Sequence, residues 1–164
     1  MAASLQGLFT PIPEVLEFES WWHERDLKRY MLILYFHSSG TFKVLVDDSK
    51  TPLTVHPMTR TSEPVRAWNL HVGGTVDILG RTTTLMSATM RTVSWLDENA
   101  KRLWKMKTTL EAELNKFRAQ PKTALDFGSF KHMADNKVCY GGKIDIGRIA
   151  DCVAALEMEL SQYQ

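Results

Sequence analysis

Apolar and polar residues alternate in the first half of the chain and recur with helical spacing in the second half. Between Val15 and Trp22 one face collects Leu16, Phe18 and Trp22, and the other collects Glu17, Glu19 and Trp21. This period of two predicts a half-buried strand. A short helix is the competing interpretation, because glutamates suit helices.

Two hairpins are predicted further along. Residues 30–36 and 41–46 are rich in leucine, β-branched and aromatic residues, and His37-Ser38-Ser39-Gly40 supplies the turn between them. A second hairpin is predicted from 75–79 and 82–86 around Gly80-Arg81. One short strand, 53–56, is expected within the turn-rich segment 47–68. Five or six short strands so spaced favour a small barrel or sandwich.

The second half predicts two helices. Ser94 is a plausible N-cap, with Asp97 and Glu98 in the first turn, and the helix should stop before Pro121. Its apolar positions follow 3-4 spacing, with Lys107 at one seam position. A terminal helix is predicted to start near Asp145. Its seam consists of Ile146, Ile149, Val153, Leu156, Leu160 and Tyr163.

These elements give an α+β chain with five parts. They are an extended N-terminal arm (1–14), a β domain (15–93), a long amphipathic helix (94–120), an irregular linker (121–143) and a C-terminal amphipathic helix (144–164). The arm is expected because Pro11 and Pro13 oppose regular pairing, which leaves it disordered or laid along a partner.

Composition, charge and cysteine content bear on which partners and which cellular location to expect. The chain has 164 residues, 44% hydrophobic residues and a formal net charge of +1. The charge predicts no general attraction to nucleic acid or to an anionic membrane. The first residues lack the pattern of a secretory signal peptide, and Cys139 and Cys152 suggest no disulfide framework, so an intracellular location is expected.

The usual catalytic patterns are missing from the sequence. Gly142-Lys143 resembles the end of a phosphate-binding loop, but Lys137 and Ile144 occupy positions that the motif assigns to other residues. The five histidines show no short ligand spacing, and Asp47-Asp48 reads as a solvated turn. We therefore predict no catalytic residue, no cofactor and no metal site.

The five tryptophans carry the strongest indication of binding. Alternation separates Trp21 from Trp22, and helical spacing separates Trp95 and Trp104 from their neighbouring core leucines. Exposed tryptophans and arginines are favoured anchors for partners. The alternative is a core with both faces covered. The candidate partner-binding residues are Trp21, Arg60, Arg66, Trp68, Trp95, Trp104 and Tyr163.

An ordered set of segments resembles one family. The segments are Glu17–Trp22, Arg29-Tyr30, Leu34–Phe36, Ser39–Val44, Leu70–Gly73, Thr75–Ile78, Gly80-Arg81 and Thr92. Together they resemble the DM-ten domain of ciliary and flagellar proteins, most closely the version fused to the flagellar nucleoside diphosphate kinase-like protein.

The resemblance implies a pleckstrin-homology-like β barrel or sandwich with a non-catalytic role. Members bind the luminal side of doublet microtubules, so α/β-tubulin and other axonemal inner proteins are the implied partners. The implied location is cytoplasmic and cytoskeletal, in the axoneme of the cilium or flagellum. It further implies a hetero-assembly rather than a homo-oligomer, without nucleic acid or membrane. After Thr92 no Asn-x-x-His pattern occurs, so phosphotransfer is not expected.

The alternative function takes the pleckstrin-like fold as a phosphoinositide- or peptide-binding adaptor. It needs a basic cluster, to which Lys28, Arg29, Lys43 and Lys50 could contribute. An enzymatic function is the weakest option, because it depends only on the kinase-fused relative.

Overall fold

All strands precede the two α-helices in the computed structural model, which describes residues 5–47, 50–56, 63–117 and 140–163. The strands are β1 (Val15–Glu24), β2 (Leu27–Phe36), β3 (Thr41–Val46), β4 (Leu53–Val55), β5 (Thr75–Ile78), β6 (Arg81–Thr84) and β7 (Ser87–Ala88). The helices are α1 (Met90–Asn115) and α2 (Ile146–Ser161), with short 3₁₀ helices at Leu5–Leu8 and Ala67–Asn69.

The strands form two antiparallel sheets. Five strands lie in the order β4-β3-β2-β1-β7, and β5 pairs with β6. The predicted α+β class and both hairpins are confirmed, but the described residues form no closed barrel. The second turn differs from expectation, because Arg81 pairs with Ile78 and the turn falls on Leu79-Gly80.

One face of the five-stranded sheet, here called the inner face, lies against the core. Its side chains include Leu16, Phe18, Ile33, Phe42 and Val44, all fully buried. This confirms the alternation predicted for β1. Burial of each such side chain stabilises the fold by about 1.5–3 kcal/mol. These residues belong to a single hydrophobic cluster that also contains residues of both helices.

Helix α1 begins earlier than predicted. Its N-cap is Thr89, whose side chain accepts a hydrogen bond from the Thr92 backbone, so the prediction of Ser94 as N-cap was wrong. The Thr92 hydroxyl in turn accepts the backbone N–H of Glu17 at 2.9 Å. This contact with β1 fixes the start of the helix. The helix ends at Asn115, and residues 118–120 of the predicted helix lie outside the described residues.

Asp97 ties the end of the linker to helix α1. Its carboxylate accepts backbone N–H bonds from Tyr140 and Gly141 at 3.1 Å and from Gly142 at 2.8 Å. Both glycines have a positive φ, 66° and 72°, which orients their amides toward one acceptor. Asp97 therefore holds a distant segment and does not serve the first turn. Most of the predicted linker lies outside the described residues.

Helix α2 follows the first four positions of its predicted seam, whereas Leu160 is half-buried and Tyr163 is exposed beyond the end of the helix. Asp145 is the N-cap, and Ile146, Ile149, Val153 and Leu156 are buried. Its Gly147 lies directly against the Trp68 carbonyl, where a Cβ would sit 2.7 Å from the oxygen. This close approach places α2 against the 3₁₀ helix at Ala67–Asn69.

The N-terminal segment is not a free arm. Residues Leu5–Leu8 form a 3₁₀ helix, and Phe9 is buried with its ring stacked on Trp68 at 5.2 Å between centroids. Thr10 and Asn99 exchange two hydrogen bonds of 3.0 Å. The prolines prevent regular pairing, as expected, but the aromatic anchor packs the segment onto its own protein.

Candidate binding surface

Strand β2 is apolar on both of its faces. Met31, Ile33 and Tyr35 point inward and are buried. The alternate residues point to the other side of the sheet, here called the outer face. A central strand that is apolar on both faces is typical of a sheet covered on both sides. The part of the outer face that β2 forms therefore has the composition of a covered surface.

Seven side chains form a continuous apolar strip, here called the outer stripe: Val15, Trp21, Tyr30, Leu32, Leu34, Phe36 and Leu45. The register places Val15 opposite Phe36, Trp21 opposite Tyr30 and Leu32 opposite Leu45. Tyr30 is 51% exposed, and the other six retain partial exposure. None of the seven belongs to the hydrophobic residues packed in or against the core. The stripe is thus separate from the core and accessible to solvent.

Two lysines lie over the aromatic ends of the outer stripe. The Lys28 Nζ is 5.1 Å from the Trp21 ring centroid and 5.2 Å from that of Tyr30. The Lys43 Nζ is 5.2 Å from the Phe36 centroid. Exposed cation–π contacts of this kind contribute about 0.5–1 kcal/mol. Lysine side chains at such sites pack their aliphatic stems along apolar surface and keep the charged group in water.

Charges of opposite sign flank the stripe. Leu34 has Glu17 as its neighbour on β1 and Lys43 as its neighbour on β3. Glu19 adds a second carboxylate on the β1 side and accepts a hydrogen bond from Ser87. The outer face therefore carries two carboxylates on β1 and one lysine on β3.

Asp47 stabilises the end of the sheet beside Tyr30. Its carboxylate accepts the Tyr30 backbone N–H at 2.9 Å and the Arg29 Nε–H at 2.5 Å. The Tyr30 hydrogen bond is the largest effect and lowers the pKa of this carboxyl group. Burial opposes it, and the hydrogen bond and charge of Arg29 add smaller downward effects. Arg29 also pairs with Glu24 at 3.5 Å.

These pairs bear on the basic cluster that the adaptor function needs. Strand alternation places Lys28 on the outer face and Arg29 on the opposite face. Arg29 is neutralised by Asp47 and Glu24. Lys28 and Lys43 contact rings at opposite ends of the stripe. Lys28, Arg29 and Lys43 thus do not gather into one unopposed cluster.

The structure places Trp21 in the outer stripe, and it places Trp68 and Trp95 against the core. Trp95 is only 5% exposed, and its Nε1–H donates to the Thr10 carbonyl at 3.4 Å. Trp68 is half-buried under Phe9. The N-terminal segment therefore covers the second side of this part of the core, which is the alternative that the sequence left open.

The remaining predicted residues lie on separate elements. Trp104 is half-buried on α1 with the Lys107 Nζ 4.6 Å from its ring. Arg66 is exposed before the second 3₁₀ helix, and its charge partly offsets the rise in the pKa of Tyr35 that burial causes. Tyr163 follows α2 and stacks on Phe117 at 5.2 Å. Arg60 lies outside the described residues.

The residue-by-residue prediction missed most of the outer stripe. The sequence predicts a hairpin strand that contains Tyr30, Leu32, Leu34 and Phe36, and Trp21 is the predicted binding residue that lies in the stripe. The signal was present in the sequence, because Tyr30–Phe36 is an uninterrupted run of apolar and aromatic residues.

The described residues offer little chemistry. They contain no group of three or more His, Cys, Asp or Glu side chains that could hold a metal ion. Burial, as the largest cause, raises the pKa of the Cys152 thiol, which disfavours a reactive thiolate. Across the described ranges, no helix has both the length and the apolar character of a membrane span.

Comparison with known proteins assigns no family. No family model matches the chain, and no curated protein matches it significantly.

Proposed function

We propose that this chain is a non-catalytic structural component of the ciliary or flagellar axoneme. It binds the luminal side of doublet microtubules through α/β-tubulin and neighbouring inner proteins. The observation that carries the proposal is the outer stripe, an apolar strip on the solvent side of the sheet. The resemblance of residues 15–92 to the DM-ten domain supplies the cellular setting.

The composition of the stripe fits an interface. Aromatic and aliphatic side chains at its centre, with charged residues at its margin, match the core and rim of protein–protein interfaces. An exposed hydrophobic surface of this kind is a liability for a free protein and an asset within a permanent assembly.

The order of the strands supports the finer proposal of a pleckstrin-homology-like fold. Strands β1 to β4 form a meander, β5 and β6 form a second hairpin, and β7 returns to pair with β1 before α1 begins. In this proposal the fold is open, since β5 and β6 form a separate sheet.

The helical part supplies a second contact region in this proposal. Phe117 and Tyr163 stack on each other and both are exposed, as is Met158 on α2. A chain with apolar surfaces on the sheet and on the helices can bridge two neighbours. This supports a hetero-assembly.

Fractionation of flagellated or ciliated cells that express the tagged full chain tests the proposal. We expect the chain to remain with axonemes after detergent and high-salt extraction, because buried apolar contacts resist salt while surface ion pairs do not. A diffuse cytoplasmic signal released by mild detergent would contradict it. Recovery of that released protein on phosphoinositide vesicles would favour the adaptor function.

A further inference from the structure

We propose that the occupant of the outer stripe is a single amphipathic α-helix of a partner protein, basic along the flank that faces β1. This inference deepens the proposed function and takes from it that the outer face meets a protein partner. It specifies that the contacting element of the partner is an α-helix and not a broad, flat surface such as a second sheet.

The width of the stripe selects a helix. Its four β2 residues form one row, and three further residues, Val15, Trp21 and Leu45, extend it onto the neighbouring strands. Strands lie about 4.8 Å apart, so β2 with half of each neighbour is about 10 Å wide. That matches the diameter of an α-helix, about 10–12 Å. A second sheet would need apolar positions on several adjacent strands, where this face carries Glu17, Glu19 and Lys43.

The length of the stripe sets the length of the helix. Tyr30 and Phe36 are separated by six strand positions, about 20 Å at 3.4 Å per residue. A helix rises about 1.5 Å per residue, so about 13 residues cover this distance. Such a helix presents its apolar side chains at positions i, i+3, i+4, i+7 and i+11.

The flanking charges define the polar margins of that helix. Glu17 and Glu19 on β1 favour lysine or arginine on one flank, and Lys43 on β3 favours glutamate or aspartate on the other. Rim charges of this type govern the rate of association and the choice of partner more than they add affinity. The apolar strip thus supplies affinity and the two flanks supply selection.

Designed peptides test this inference on the full chain. Two helix-stabilised 15-residue peptides share one leucine stripe: the mixed peptide has lysines on one flank and glutamates on the other, and the acidic peptide has glutamates on both. A peptide with its flanks exchanged is not a useful control, because reversing its direction restores the pairing. We expect the mixed peptide to bind about tenfold more tightly at low salt, measured by fluorescence anisotropy.

Variants of the chain identify the face. Leu34→Thr should lower the affinity for the mixed peptide at least about fivefold, because it removes the centre of the stripe. Leu53→Thr is the matched control, an exposed leucine on the same sheet that points to the other face. The double variant Glu17→Lys/Glu19→Lys should reverse the preference toward the acidic peptide. Circular dichroism confirms that each variant is folded.

Three outcomes would overturn the inference: no binding of either peptide, equal binding of both, or a Leu34→Thr protein that binds as the original does. The result is independent of cell fractionation. Selective peptide binding by a chain that is absent from axonemes would leave this inference standing and remove the proposed function. Axonemal retention without peptide binding would do the reverse.

Discussion

The Asp97 carboxylate on α1 accepts the backbone N–H of Gly142 at 2.8 Å, across 45 positions of sequence. The same turn is bound to the β half, because the Gly142 carbonyl accepts the Val72 backbone N–H at 2.7 Å. Asp97 and Gly142 therefore join the turn before β5, α1 and the start of α2 at one point.

Replacing Asp97 by Asn should destabilise the whole chain. The amide NH₂ would face backbone donors, so at least one buried N–H would lose its acceptor, and charge-assisted bonds would become neutral. We expect a loss of about 2–3 kcal/mol in the free energy of unfolding, measured by urea denaturation. Glu98→Gln, at the exposed neighbouring position, is the control. Equal stability of the two variants would show that the Asp97 contacts contribute nothing.

Gly147→Ala should destabilise α2 although alanine is the better helix former. The propensity gain is about 1 kcal/mol, but the added Cβ would lie 2.7 Å from the Trp68 carbonyl oxygen. To relieve that clash, α2 must shift away from the 3₁₀ helix that contains Trp68. Overpacking of this kind lowers the free energy of unfolding by about 1–3 kcal/mol. The melting temperature of Gly147→Ala, measured by thermal unfolding, tests this. Glu157→Ala, at an exposed site on the same helix, is the control. A higher melting temperature for Gly147→Ala would contradict the described packing.

Leu79→Asn should stabilise the chain. Leu79 has a φ of 52° at the β5–β6 turn and is 59% exposed, so it bears backbone strain without a packing gain. Asparagine tolerates the left-handed conformation and is preferred in such two-residue turns. We expect a gain of about 0.5–1 kcal/mol by urea denaturation. Leu27→Asn is the control, because Leu27 is an exposed leucine that does not have a positive φ. A gain in the free energy of unfolding for Leu27→Asn but not for Leu79→Asn would be inconsistent with relief of strain.

Asp47 should make the free energy of unfolding depend on pH in the acidic range. Its pKa is lowered in the folded state by the Tyr30 N–H and Arg29. The folded state therefore binds this proton less readily than the unfolded state. The carboxylate's contribution is complete above the unfolded pKa, about 3.9, and is lost as the pH falls through the lower folded value.

The stability difference between the original chain and Asp47→Asn should therefore shrink as the pH falls below about 4. Urea midpoints recorded from neutral to acidic pH follow this change. Asp26→Asn is the control, at an exposed left-handed position of the neighbouring turn. A difference that stays constant over the whole range would show that the charge of Asp47 plays no part.

Local patterns predicted the elements better than their contacts. The β2–β3 hairpin and the seam of α2 were predictable, because periodicity in sequence maps directly onto one face of a strand or helix. The start of α1 was missed because Thr92 serves β1 as well as the helix. Likewise, the roles of Phe9 and Asp97 depend on partners 59 and 45 positions away, Trp68 and Gly142, which no local pattern reveals.

The outer stripe was predictable only in part. The apolar run of β2 was visible, but its significance depends on which strands flank it. The register places two glutamates on one side and Lys43 on the other. Trp21 was chosen correctly as an outward residue, because alternation alone separates it from Trp22.

Quantitative retention of outer-stripe variants in axonemes tests the central claim most directly. The original chain, Leu34→Thr and Leu53→Thr are expressed at equal levels, and the fraction that stays with detergent- and salt-extracted axonemes is measured by immunoblot. We predict that the original and Leu53→Thr proteins are retained and that most of the Leu34→Thr protein, folded by circular dichroism, is released. Equal retention of all three proteins, or release of the original chain, would contradict the account.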